Sequence, residues 1–409
     1  MDQAVRRRRR ALFLLFLLAG IAMSSWVTRT PAIRDALAVS TAQMGLVLFG
    51  LSLGSMLGIL ASGRLVSRTG TLPVIFWATA LLILGMATIC AGSLMVSLPM
   101  VTTGLCAFGV GMGASDVATN IDATDIERTS GVATMPALHG CFSLGTVLGA
   151  GAGMGATAAG VPVHWHLAAV TALAVAISFF ALRAVPAGTG RATVDESTKG
   201  HGAGPRPAVW RDGNLVLIGG IVLAMALAEG SANDWLPLLM VDGHGMDATL
   251  GSLVYAGFAA AMTLGRFAAS FFLRRFGRAA VMRVSAIAGA VGLLFVIASD
   301  NEVVAGVSVL LWGLGASLGF PLALSAAGES GSDETARVSL VATIGYVAFL
   351  IGPPGLGFLG EHIGLRAAML VVLAFVAFAA FIAPAVEPRR PPVGPAPRRD
   401  GAAEHIRHR

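Results

Sequence analysis

The chain has 409 residues, of which 56% are apolar and only 12% are charged. Ordinary soluble domains carry about 25% charged residues, so this composition excludes a water-soluble globular protein. The net charge is +6, and because Lys199 is the single lysine, 27 of the 28 basic residues are arginine. The basic residues lie between long apolar runs, which favours membrane topology over a nucleic-acid partner as the meaning of the positive charge.

Twelve apolar runs follow one another along the chain, each close to the roughly 20 residues that a helix needs to cross a bilayer. The first follows the basic residues 6–10 and is interpreted as a spanning helix, not a cleaved signal peptide. The runs lack the alternating pattern of membrane strands. They cover residues 11–28, 41–63, 72–93, 95–120, 133–159, 163–183, 214–239, 248–272, 279–299, 302–327, 338–360 and 366–386.

Cysteine and histidine patterns predict neither a metal site nor a cofactor. Cys90, Cys106 and Cys141 all fall inside apolar runs without a CxxC pattern, so we expect small core residues. His164 and His166 are spaced i, i+2 and diverge on a helix, which makes them a poor metal pair. The phosphate-binding pattern GxxxxGK[ST] is absent from the sequence, so we do not expect ATP to drive the protein directly.

The distribution of basic residues predicts the orientation in the membrane. The two termini, the even-to-odd loops and the adjoining helix ends hold 25 of the 28, whereas the other connections hold only Arg29, Arg34 and Arg366. Positive residues concentrate on the cytoplasmic side. We therefore expect both termini, including residues 1–10, in the cytoplasm and the spans in the plasma membrane.

The longest hydrophilic break, at residues 184–213, is predicted to be a cytoplasmic linker between six-helix bundles at 11–183 and 214–386, followed by a disordered tail at 387–409. An internal repeat supports this division. LAGIAMSSW at 18–26 aligns with LAEGSANDW at 227–235, and the segment 46–70 aligns with 253–277 at a nearly equal offset. Two parallel six-helix halves are typical of transporters whose halves rock about a central site.

The loop after the second run, GRLVSRTG at 63–70, resembles the signature G-x-x-x-D-R-x-G-[RK] of the major facilitator superfamily, with serine in place of the aspartate. The second-half copy SFFLRRFGR, at 270–278, keeps part of the same pattern. The resemblance implies an all-α fold of twelve transmembrane helices in two pseudo-symmetric bundles. It also implies that this loop helps to latch the halves on the cytoplasmic side. The matching residues are Gly63, Arg68, Gly70, Arg275, Gly277 and Arg278.

Several further segments, among them GVGMGASDVATN at 109–120 and EGSANDW at 229–235, resemble the fucose-permease-like branch of that superfamily. Its sugar–proton symporters place an acidic residue four positions before an asparagine in the fourth span, a pattern met here by Asp116 and Asn120. The second acidic residue of those symporters, in the first span, has no counterpart in this chain. The resemblance implies proton-coupled transport of a sugar-like solute and does not fix the direction of transport.

Two carboxyl groups are predicted to lie well inside spans, where an unpaired charge costs about 2.5–3.5 kcal/mol on insertion scales. They are Asp116 and Glu229, each followed at i+4 by an amide, Asn120 and Asn233. Because burial favours the protonated form of a carboxyl group, we predict that one or both load a proton while the amides hold the solute. The alternative is that each acid only hydrogen-bonds to a neighbouring helix.

Six further residues are candidates for the substrate cavity, each with a structural alternative. Asp234 and Trp235 end the EGSANDW segment, and Trp26 is the repeat mate of Trp235; they either gate the cavity or anchor the membrane interface. Arg29 either closes the outer vestibule, draws in an anionic substrate, or pairs with an acid such as Asp35 or Asp234. His139 and Tyr346 either face the cavity or are core residues. The candidates are Asp234, Trp26, Trp235, His139, Tyr346 and Arg29.

The sequence therefore predicts a secondary active transporter, not an enzyme, with a small solute and protons as its partners and a monomer as sufficient in the bilayer. Uptake of a sugar-like or other polar solute competes with proton-driven export of drugs or secondary metabolites. A membrane-embedded enzyme is a remote alternative, because no HExxH or GxSxG pattern occurs in the spans. The sequence does not identify the solute.

Overall fold

The computed structural model describes residues 2–132, 134–191, 209–331 and 333–387. Within these ranges, twelve helices are long and apolar enough to cross a membrane, and we number them as spans 1 to 12. Their bounds are Gln3–Val27, Thr41–Thr69, Thr71–Leu94, Leu98–Ser130, Met135–Ala158, Val163–Ala184, Gly213–His244, Ala248–Phe276, Arg278–Ala298, Glu302–Glu329, Ala336–Ile363 and Leu365–Val386. The fold is the predicted one, with two pseudo-symmetric six-helix bundles, the first half (spans 1–6) and the second half (spans 7–12).

Two spans extend furthest beyond their predicted apolar runs. Span 1 begins eight residues before the predicted residue 11, and span 4 continues ten residues beyond residue 120. The extensions are held together by charge, because the Arg8 guanidinium lies 2.6 Å from the buried Asp122 carboxylate and 2.9 Å from Asp125. Most of the predicted linker and nearly all of the predicted tail lie outside the described residues, so those predictions stay predictions.

Glycines bring neighbouring spans of the first half into backbone contact. In span 5, a methyl group added at Gly149 would lie 2.5 Å from the carbonyl oxygen of Ile21 in span 1, whereas one added at Gly151 would meet nothing within 4 Å. Gly54 and Gly58 of span 2 approach the backbone of span 4 in the same way. This close packing gives a physical reason for the high glycine content, because small residues let membrane helices approach.

Span 1 begins at Gln3 and span 12 ends at Val386 on the same side of the molecule, which we call the terminal face. We call the other side the opposite face. On the opposite face the halves are closed. Span 2 meets span 11 there so closely that a methyl group at Gly45 would lie 2.9 Å from the Pro353 carbonyl oxygen. Glu361 accepts a hydrogen bond from the Ala42 N–H at 3.2 Å. Among the described residues, the remaining hydrogen bonds between the halves lie at the opposite face or at mid-depth, so the molecule is open toward the terminal face.

The signature loops of the two halves lie on the terminal face, and each begins a span at a glycine with positive φ (Gly70, +89°; Gly277, +79°). The residue after each glycine binds the acid that lies near the end of span 4 or span 10. Thr71 donates to Asp122 at 2.7 Å, and Arg278 forms two bonds of 2.7 and 2.6 Å with Glu329. Each loop is therefore tied within its own half.

The other loop residues face outward. Arg68 and Arg275 are exposed, and Gly63 has open space around its Cα. Within the described ranges, no hydrogen bond or ion pair joins these residues to the other half. This agrees with a molecule open on the terminal face, and a latch between the halves stays a prediction for another conformation.

Candidate functional site

A cavity of about 270 Å³ lies between the two halves at mid-depth. Spans 1, 2, 4 and 5 form one wall, and spans 7, 8 and 11 form the other. The first-half wall carries Met23, Leu51, Ser52, Ser55, Met56, Ile59, Met112, Phe142, Ser143 and Thr146. The second-half wall carries Glu229, Gly230, Asn233, Asp234, Tyr255, Phe258, Ala259, Met262, Thr263, Arg266, Tyr346 and Phe349. All ionisable groups that line the cavity therefore belong to the second half.

An ion pair lies within this cavity. Arg266 of span 8 donates from Nη2 to Oε1 of Glu229 in span 7 at 3.0 Å. Its other terminal nitrogen, Nη1, lies 3.3 Å from the Ser143 hydroxyl of span 5, across the boundary between the halves. Both charged side chains keep contact with the cavity, with 31% of the Arg266 side chain and 20% of the Glu229 side chain exposed. One guanidinium thus connects an acid of the second half to a hydroxyl of the first.

The other two polar residues on span 7 have different partners. Asn233 accepts a hydrogen bond from the hydroxyl of the buried Tyr255 at 3.1 Å. Asp234 is 7% exposed and has no hydrogen-bond or ion-pair partner among the described residues. A buried carboxyl group without a counter-charge is stable only when it is protonated or when it meets a ligand.

Asp116, Asn120 and His139 lie just outside the cavity lining, toward the terminal face. Asp116 is one turn beyond the lining residue Met112, and His139 is one turn before Ser143. Asp116 accepts a hydrogen bond from the Asn120 amide at 3.2 Å, and both Asp116 and His139 are exposed. These groups therefore lie where the cavity opens, not in its lining.

Three predicted cavity residues lie elsewhere. Trp26 and Trp235 are completely buried and are not part of the lining. Arg29 is 3% exposed at the opposite face and donates to the Thr157 hydroxyl at 2.7 Å and to the Val161 carbonyl. This contradicts one of the alternatives for Arg29, the pairing with Asp35 or Asp234. Burial without a carboxylate partner lowers the pKa of the Arg29 guanidinium.

The sequence-based interpretation missed Arg266 and Tyr255. Arg266 was counted among the helix-end basic residues of the cytoplasmic side, yet it lies ten residues before the end of span 8 at Phe276. Ten helical residues correspond to about 15 Å, which is half of a bilayer core. This depth was the available signal, because an arginine so far inside a span needs a partner or an aqueous cavity.

The fold, the two-half repeat and a central cavity that contains an ion pair are those of a membrane solute transporter. The family model of the Major Facilitator Superfamily matches residues 12–338, and the chain belongs to that superfamily. It is therefore a membrane transporter and not an enzyme.

The chain is similar to the uncharacterized transporter y4wD of Sinorhizobium fredii, with 31% identity over 91% of this chain and 96% of that protein. Among solved structures, its fold is similar to that of a D-xylose-proton symporter, with a TM-score of 0.78 and 12% identity, covering 93% of this chain and 97% of that one. It is also similar to the fucose:proton symporter of E. coli, with a TM-score of 0.63 and 17% identity, covering 93% and 98%. At these identities the two structures establish the fold alone.

Proposed function

We propose that the protein is a proton-coupled secondary transporter that carries a small solute with at least one polar group through the central cavity. The observation that carries the proposal is the Glu229–Arg266 ion pair, which lies in the cavity and reaches Ser143 of the other half. Protonation of Glu229 removes one charge from this pair and leaves Arg266 without its partner. A change in proton occupancy therefore alters a contact that spans the boundary between the halves.

Alternating access then follows from the asymmetry of the closure. The opposite face is closed by the seam between spans 2 and 11, while Asp116 and His139 are exposed at the opening toward the terminal face. We infer that this face is cytoplasmic and that the membrane is the plasma membrane, since the arginines concentrate there. The structure then corresponds to an inward-open conformation.

Asp116 and Asp234 are the other two carboxyl groups on the proton route in this proposal. Asp116 lies at the opening toward the terminal face, and Asp234 lies in the lining on the side of the opposite face. Glu229 lies at an intermediate depth between Asp116 and Asp234. It is on span 7, fifteen residues before that span ends at His244. Protons thus have an acceptor at each level of the cavity.

Proton-driven export of an amphipathic compound is a second candidate. The observation that favours it is the mainly apolar wall, which includes Met23, Met56, Met112 and Met262. Methionine side chains adapt to ligands of different shape. Import and export use the same sequence of conformations, so the two candidates differ in solute and direction but not in the role of Glu229.

The test uses the full-length purified protein in liposomes that contain a pH-sensitive dye. A panel of sugars, organic acids and amines is first screened for thermal stabilisation, and each stabilising solute is then tested for solute-dependent proton movement. We expect Glu229→Gln to abolish proton movement, because glutamine cannot take up a proton. The matched control is Glu302→Gln, which changes an exposed acid at the first turn of span 10. Solute-driven proton movement that survives in Glu229→Gln would refute the role of Glu229, and movement that survives in Glu229→Gln, Asp116→Asn and Asp234→Asn would refute proton coupling through the cavity.

A further inference from the structure

We propose that the solute is an amphipathic organic acid whose carboxylate binds to Arg266 when Glu229 takes up a proton, so that anion and proton occupy the cavity together. This inference rests on the proposed function and adds the substrate class to it. It is carried by the hydrogen-bond donors of Arg266, by the balance of charge around it and by the character of the cavity walls.

Arg266 retains free donor capacity. A guanidinium has five N–H donors in a planar fork, and in the described structure one bond goes to Glu229 and one to Ser143. The side chain is 31% exposed toward the cavity, so its remaining donors are accessible to a ligand. Paired guanidinium donors match the two oxygens of a carboxylate better than they match the single hydroxyls of a sugar.

The charge balance links the anion to the proton. While Glu229 is ionised, the Glu229–Arg266 pair is neutral and repels neither cations nor anions. When Glu229 is protonated, Arg266 becomes an unpaired cation in a half-buried site, which is an unfavourable state. A ligand carboxylate restores neutrality, and each binding event then strengthens the other. One anion and one proton carry no net charge.

The other titratable groups around Glu229 do not replace Arg266 as an anion site. Asp234 on the same helix has a carboxyl group, and Tyr255 of span 8 and Tyr346 of span 11 have hydroxyls. His139 of span 5 and Asp116 of span 4 lie one turn outside the lining, toward the terminal face. Span 10 contributes Trp312, whose indole does not titrate and donates a hydrogen bond to the Ala228 carbonyl at 3.2 Å. Arg266 is therefore the cation of the lining.

The remaining walls select an apolar body for the anion. Aromatic rings and thioethers surround the ion pair, and polar groups other than the ion pair are mostly single hydroxyls. A cavity of about 270 Å³ suits a small acid with one ring or a short chain. The apolar wall residues are Met23, Leu51, Met56, Ile59, Met112, Phe142, Phe258, Met262 and Phe349.

The test is calorimetric titration of the full-length protein in detergent with two carboxylates, phenylacetate and hexanoate, and with their amides, phenylacetamide and hexanamide. Titration in two buffers of different ionisation enthalpy counts the protons taken up. We expect at least one carboxylate to bind about 10- to 100-fold more tightly than its amide, as expected for loss of a charged hydrogen bond. We also expect uptake of about one proton per bound anion.

Variants assign these effects to the two residues. Arg266→Gln should abolish the preference for acid over amide, and Arg266→Lys should weaken it by about tenfold, because lysine lacks the fork. Glu229→Gln should bind the carboxylate without proton uptake. Arg283→Gln, which changes an exposed arginine of span 9, is the matched control and should behave as the wild type. If Arg266→Gln does not fold, the acid–amide comparison in the wild type and the Arg266→Lys variant still decide.

Equal binding of acid and amide, binding of neither carboxylate, or unchanged proton uptake in Glu229→Gln would overturn this inference. Its failure is distinct from failure of the proposed function. Proton-driven flux of a neutral solute without carboxylate binding would refute the anion site and leave proton-coupled transport standing. Carboxylate binding with proton uptake, but without flux in liposomes, would support the anion site and refute proton-coupled transport.

Discussion

The two halves of the molecule share one fold, but they divide the chemistry unequally. In the internal repeat, Glu229, Asn233 and Asp234 of span 7 correspond to Gly20, Ser24 and Ser25 of span 1. Likewise, Arg266 of span 8 corresponds to Ile59 of span 2. Every charged position of the cavity is thus glycine, serine or isoleucine in the first half, and both Arg266 and Ile59 line the cavity.

This difference shows that the repeat preserves helix packing while the polar site differs between its copies. In the first half, Ser24 donates to the Gly20 carbonyl of its own helix at 2.9 Å and contributes nothing to the cavity. In the second half, the equivalent Asn233 binds Tyr255 of another helix. The first half therefore provides a largely apolar wall, and the second half provides the groups that respond to protons and polar ligands.

The largest expected effect comes from removing the charge that distinguishes the second half. Arg266→Gln leaves Glu229 without its partner, and loss of one member of a half-buried ion pair costs about 3 kcal/mol. Because the variant also loses the contact between Arg266 and Ser143 of the other half, we expect solute-driven proton movement to fall by at least about 100-fold, measured in liposomes with a pH-sensitive dye. The double variant Glu229→Gln/Arg266→Gln should regain thermal stability without regaining proton movement. Full activity in either variant would contradict the proposed role of the pair.

The glycine packing of the first half gives the second prediction. Gly149→Val forces a side chain against the backbone of span 1, and overpacking of this kind costs about 1–3 kcal/mol. We expect this variant to have a lower melting temperature than the wild type in detergent, as measured by intrinsic fluorescence. Gly151→Val lies two residues away in open space and is the matched control. Equal losses in both variants would show that the effect comes from helix propensity instead of packing.

The third prediction compares repeat mates. Tyr255 is 1% exposed, and Asn233→Ala leaves its hydroxyl without a hydrogen-bond partner. A buried hydroxyl without a partner lowers the free energy of unfolding by about 1–2 kcal/mol. Ser24→Ala removes only a bond within one helix and should change the melting temperature much less. Melting curves of the two variants test this difference. A larger fall in melting temperature in Ser24→Ala than in Asn233→Ala would contradict the conclusion that the stabilising polar contacts between helices lie in the second half.

The smallest expected effect is a pH-dependent one at the start of span 7. The hydrogen bond from Arg337 lowers the pKa of Asp212 below its ordinary value of 3.8. The pair therefore stabilises the fold above about pH 4, and this stabilisation is lost as the pH falls through the lowered pKa. Asp212→Asn should reduce stability at neutral pH by about 1 kcal/mol. The difference in stability between wild type and variant should disappear in strong acid. A difference in melting temperature that stays constant down to pH 3 would contradict this prediction.

The fold was predictable from the sequence because each apolar run reports directly on bilayer thickness. The candidate site was predictable mainly along one helix, because Tyr346 of span 11 is the single predicted lining residue outside span 7. Glu229, Asn233 and Asp234 were found because their spacing on span 7 is visible in the sequence, and all three line the cavity. Their partners Arg266 and Tyr255 were missed because contacts between spans depend on helix rotation, which a single sequence does not determine.

The same limit explains the misplaced candidates. Trp26 and Trp235 were selected as conspicuous residues at equivalent places in the repeat, yet aromatic residues of this size also fill helix interfaces, and both are completely buried. For Arg29 a carboxylate partner was one alternative, but the Thr157 hydroxyl and the Val161 carbonyl accept hydrogen bonds from its guanidinium instead. Charge alone did not reveal that the backbone would supply the partner.

The closed seam on the opposite face has a consequence for how the medium acts on the protein. Among the described residues, one ion pair, Arg34 with Asp242, joins the halves there, and both side chains are partly exposed. Exposed pairs contribute about 0–1 kcal/mol and weaken when the ionic strength rises. A change of 1 kcal/mol shifts a two-state population about fivefold. Salt on that side of the membrane should therefore favour the conformation in which the seam is open, making the resting distribution of conformations sensitive to the ionic environment.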